Sequence, residues 1–76
     1  MLSLFLQTQC RTGKAHSVRD KDLFEAYEAW ARFEAIVAAD HKTWRLALAA
    51  RGFAYDTTRQ GDTWRGLALK PHGQAA

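Results

Sequence analysis

The chain carries one cysteine, Cys10, in 76 residues. A lone thiol closes no intramolecular disulfide, which excludes the small secreted scaffolds built on bridges and fits a reducing, cytoplasmic setting. No stretch approaches the roughly 20 apolar residues that a membrane span needs. The apolar opening from Met1 to Leu6 has no basic leader, gives way to Gln7 and ends without a small-residue cleavage site. It therefore does not read as a signal peptide, and no membrane contact is expected. Internal repeats and low-complexity tracts are also missing.

Signatures of chemistry are equally scarce. His16, His41, His72 and Cys10 do not stand at metal-ligand spacing, so no metal is expected. Gly13-Lys14 is not a phosphate loop, because that loop needs glycine where Thr8 stands and Ser or Thr where Ala15 stands. Glu25, Glu28 and Glu34 fall on an exposed helix face, with nothing to desolvate two of them as an acid–base pair. A chain this short buries only roughly 60% of its unfolded surface in one domain. The expectation is a non-enzymatic domain without cofactor.

What the chain does have is bulk. Hydrophobic residues make up 47% and aromatic ones 12%, enough for a packed core without staples. The net charge of +3 is unevenly placed. Residues 1–40 hold five Lys or Arg against six Asp or Glu, whereas residues 41–76 hold six against two. The basic half is the place to look for a polyanion.

Leu2, Phe5, Leu6, Gln9 and Cys10 share one helical face, and the pattern stops at Arg11, Thr12 and Gly13, which predicts a short helix and then a turn. His16, Ser17 and Val18 predict a brief strand. Asp20 or Asp22 is expected to cap a second helix, in which Leu23, Tyr27, Trp30 and Ala31 form the apolar stripe. That helix should break between Glu34 and Asp40. Asp40 is the natural N-cap of a third helix, His41 to Arg51, with Trp44, Ala47 and Leu48 inward and Gly52 as the left-handed C-cap. The period then changes to two. Phe53, Tyr55 and Thr57 alternate with their neighbours, as do Trp64, Gly66 and Ala68, and a Gly61-Asp62 turn between the two runs predicts a β-hairpin. Pro71 and the residues after it, 71–76, read as a frayed tail behind a single domain at 1–70.

Helix, strand, helix, helix and hairpin in that order predict an α+β winged helix, with the third helix placed to enter a DNA groove and the hairpin wing beside it. Phe5, Leu23, Tyr27, Trp30, Trp44, Leu48 and Phe53 would form the core. The residues that mark these elements also resemble a known family. Phe5-Leu6 with Cys10, Val18, the run Asp22 to Trp30, Trp44 with Leu48, Arg51-Gly52-Phe53 and the run Trp64 to Leu69 are together similar to the C-terminal winged-helix domain of phage and plasmid primase-helicases, the poxvirus-like superfamily-three type. That resemblance implies an accessory nucleic-acid-binding module. It does not carry the motor's primase or helicase activity to this chain.

On the third helix, His41, Lys42 and Arg45 lie away from Trp44 and Leu48, where cations would meet phosphates and an Arg would reach guanine. Arg59 and Gln60 flank the wing tip and Arg65 follows on the second strand, a basic hairpin able to track a DNA backbone, with Asp56 and Asp62 subtracting charge. Trp64 is expected in the core. Double-stranded DNA is the expected partner, with single-stranded DNA as a second. A different reading makes the domain a mobile-element inhibitor that binds a host protein through Phe24, Glu25, Glu28 and Phe33 on the acidic second helix.

Overall fold

The computed structural model describes residues 2–59 and 61–70. Gln60 and the expected tail at 71–76 lie outside the described residues. Three helices and three strands follow in the order α1 (Leu2–Gln9), β1 (Cys10–Arg19), α2 (Asp20–Phe33), α3 (His41–Ala50), β2 (Ala54–Thr58) and β3 (Gly61–Leu69). The strands form one antiparallel sheet in the order β1-β3-β2, so β3 is central. Among the described residues no helix is long and apolar enough to cross a membrane.

The core draws on every element. Phe5, Leu23, Ala31, Leu48 and Leu67 are fully buried, and Tyr27, Trp30, Trp44 and Trp64 nearly so. Phe53 is half-buried against them. Their rings meet mostly edge-on or tilted, as Phe5 does on Tyr27 at 5.5 Å and Trp44 on Trp64 at 6.4 Å, which suits the quadrupoles of aromatic pairs. Cys10 is buried as well, and that burial pushes its thiol up to about 11.

Both ends of the loop between α2 and α3 have local causes. At its start Ala35 takes φ +58, its N–H donates to Arg32 O at 3.1 Å and the Ile36 N–H donates to Ala31 O at 2.8 Å. This is a Schellman ending with alanine where glycine is usual. At its end the Asp40 carboxylate accepts from the Thr43 N–H at 3.2 Å and from the Thr43 hydroxyl at 2.7 Å. These bonds hold the Asp40 carboxyl below its ordinary range. The Tyr27 hydroxyl accepts from the Ala39 N–H at 3.0 Å and ties the loop to α2. Gly52, at φ +97, follows α3 as expected.

Four local expectations are corrected. No turn occupies 11–13, and the brief strand at 16–18 is the end of a ten-residue strand that starts at Cys10. Cys10, Arg11 and Thr12 pair with Leu69, Ala68 and Leu67, a contact from the far end of the chain that local periodicity does not register. The register shifts between Thr12 and Ser17, opposite Gly66 at φ +96. That irregularity resets the alternation, so Leu67 faces the core together with Trp64 instead of opposing it. At the hairpin Thr58 pairs with Gly61 and Thr57 with Asp62, so Gly61 and Asp62 belong to β3 and not to the turn. Neither Asp20 nor Asp22 caps α2. Its N-cap is Arg19, with no side-chain capping bond, because Asp20 is drawn inward.

Candidate nucleic-acid interface

Asp20 is the one buried charged residue among those described, at 3% exposure. It opens α2 and faces both α3 and the hairpin. Its carboxylate accepts from Trp64 Nε1 at 2.8 Å and from Arg45 Nη2 at 3.1 Å, and meets His41 Nε2 at 2.6 Å. Burial by itself would raise the carboxyl, but the hydrogen bonds from Arg45, Trp64 and His41 prevail and hold it below its ordinary value. The same bond to Asp20 raises the Arg45 guanidinium.

Around this carboxylate the first turns of α2 and α3 and the start of β3 line a cleft of about 280 Å³. Arg19, Lys21, His41 and Arg45 bring cations to its walls, and Asp20, Asp62 and Gly61 complete them. Asp62 is turned inward, where it accepts a short hydrogen bond from the Tyr55 hydroxyl and lies 3.7 Å from Arg45. Burial and that hydrogen bond push the Tyr55 hydroxyl up to about 12. Arg45 also stands over the Tyr55 ring, 5.4 Å from its centre.

The residues expected to touch DNA therefore divide. His41 and Arg45 come together, but on Asp20, and His41 also stacks on Phe24 at 4.2 Å. Lys42 and Arg59 are exposed and make no ion pair among the described residues. Arg65 lies on the opposite face of β3 from the buried Trp64, in an ion pair with Asp56, and is separated from the α3 cations. Gln60 lies outside the described residues. Arg19 and Lys21, which the sequence reading did not single out, line the cleft without an ion pair to any described residue. Their signal was the pattern Arg19-Asp20-Lys21, in which an inward acid forces its two basic neighbours outward.

The residues of the protein-binding reading divide too. Phe24 is not an exposed anchor. It is half-buried, with Tyr27 at 5.9 Å and Trp44 at 5.0 Å. Glu25 is exposed, Glu28 half-exposed, and Phe33 stands 85% exposed. Among the described residues no group of three or more His, Cys, Asp or Glu side chains is placed to hold a metal ion. Comparison with protein-family models, with curated proteins and with solved structures gives no match.

Proposed function

We propose that the chain is a winged-helix domain that binds DNA, chiefly double-stranded, with α3 as the helix presented to the groove and the β2–β3 hairpin as the wing. The observation that carries this reading is the sorting of charge around the cleft. Asp20 and Asp62 face inward and are matched there by Arg45 and His41, while Arg19, Lys21, Lys42 and Arg59 remain outside without a carboxylate among the described residues. Unpaired cations bordering a helix and a hairpin tip suit a phosphate backbone, whose neutralisation releases counterions. In this reading Lys42, Arg59, Arg19 and Lys21 meet phosphates. His41 and Arg45 set the angle between α3 and the wing, and Arg65 is secondary. The order of elements with β3 central supports the winged-helix assignment. The family resemblance supports a role as a replication accessory or regulator of phage or plasmid type, without chemistry of its own.

Amide chemical-shift mapping during titration with a duplex tests the reading. The largest shifts are expected at Lys21, Lys42 and Arg59. A duplex that shifts none of these amides would overturn the reading and favour the protein-binding module.

A further inference from the structure

The outer face of α2 carries a projecting ring, an apolar groove and charges of both signs. Along this helix Asp22, Glu25, Ala26, Ala29, Arg32 and Phe33 recur at three- and four-residue intervals and so fall on one side. That side is opposite the stripe of Leu23, Tyr27, Trp30 and Ala31 that enters the core. Phe33 is 85% exposed at its C-terminal end. Immediately beside it is a groove of about 390 Å³ with a predominantly apolar lining, whose floor includes Ala26, Ala29 and Trp30 and whose edges include Gln9 and Glu34. A projecting phenyl ring and an apolar groove thus share one helix face, and that face carries acids toward its start and a cation toward its end. Glu25 and Arg32 make no ion pair among the described residues.

We propose that the chain forms a twofold-symmetric homodimer in which the α2 helices of two copies pack antiparallel, centred on Ala29. In that register Phe33 of each copy stands level with Glu25 of the other, one residue from Ala26, and enters its groove. Arg32 of each comes within reach of Glu25 and Asp22 of the other. The small side chains at 26 and 29 let the helices approach closely where they cross. A twofold axis makes both contacts occur twice, so one face supplies both the knob and the hole. The occupant is a second copy because the charge order along this face, Asp22 and Glu25 and then Arg32, is complementary to itself when reversed. This face is distinct from the cleft at the start of α2 and α3, and the inference stands apart from the DNA reading. One helix face buries less than the roughly 800 Å² per partner of a standard interface, so dissociation constants on the order of 10–100 μM are expected.

Sedimentation equilibrium between about 5 and about 500 μM brackets that value and tests the dimer. Wild-type chain should pass from monomer to dimer. Phe33→Ser should weaken association by about tenfold or more without altering the far-ultraviolet circular dichroism, since the ring is exposed. Glu25→Arg and Arg32→Glu should each weaken it, and the double variant Glu25→Arg/Arg32→Glu should recover much of the loss, because reversing both charges restores the 25–32 pairs across the axis while Asp22 then faces an acid. A chain monomeric throughout the range would overturn the proposal and leave the groove to a different protein. A dimer indifferent to Phe33→Ser, or a double variant no better than either single one, would overturn it equally, by placing the interface elsewhere.

Discussion

Asp20 shows how one side chain acquires a structural role from its neighbours. It is almost wholly buried, yet ionised, because three donors from α3 and β3 converge on it. Asparagine here would keep one acceptor oxygen but lose the charge and turn an amide NH2 toward donors that Asp20 now satisfies, Trp64 on one oxygen and Arg45 and His41 on the other. Asp20→Asn should therefore cost about 2 kcal/mol in urea unfolding at pH 7. The pH dependence has a definite sign. Asp20 has a folded value below its unfolded one, so its contribution is present above the ordinary carboxylate value of about 3.9 and is lost as pH falls from there through the lowered folded value. The gap between wild type and Asp20→Asn should accordingly narrow on acidification below about pH 4. A gap that stayed constant into that range would show that the charge is not what Asp20 contributes.

Among the elements, α2 ends on the most evident unused stability. Ala35 occupies the left-handed region at φ +58, where a Cβ costs roughly 1–2 kcal/mol and glycine costs little. Ala35→Gly keeps the Schellman bonds and should stabilise the chain by about 0.5–1 kcal/mol, after the greater unfolded-state freedom of glycine is subtracted. A loss of stability in thermal unfolding would contradict that account of the ending. Elements held by local pattern were legible in the sequence: the stripe of α2, the Asp40 cap and Gly52 ending of α3, and the paired strands with Trp64 inward. Where the partner is distant, legibility failed. Arg11 and Thr12 join a strand only because Ala68 and Leu67 lie opposite them, and Leu67 turns inward only because the register slips at Gly66. The site was half legible for the same reason. The exposure of Lys42 and Arg59 could be read from their positions, but the capture of Arg45 and His41 depends on Asp20 and Trp64, residues that only the fold brings together.

At the scale of the whole molecule, the charge that matters is the charge left unpaired. Sequence arithmetic places the basic excess in residues 41–76, yet pairing within the fold absorbs Arg45 and Arg65 there and leaves Arg19 and Lys21 available from the other half. The cations so left unpaired come from β1, α2, α3 and the hairpin, and of them Arg19 and Lys21 line the cleft. On the proposed reading such a surface would neutralise about three to five phosphates and should bind DNA weakly, through an electrostatic contribution that salt removes. The most direct test is fluorescence anisotropy of a labelled duplex at several salt concentrations, with wild type and with Lys42→Ala/Arg59→Ala, neither residue being part of the core. The account predicts a log–log slope against salt of roughly −3 to −4 for wild type, and a slope shallower by roughly 2 with weaker binding for the double variant. Absence of binding by the folded chain at low salt, or binding that the double variant retains in full, would contradict it.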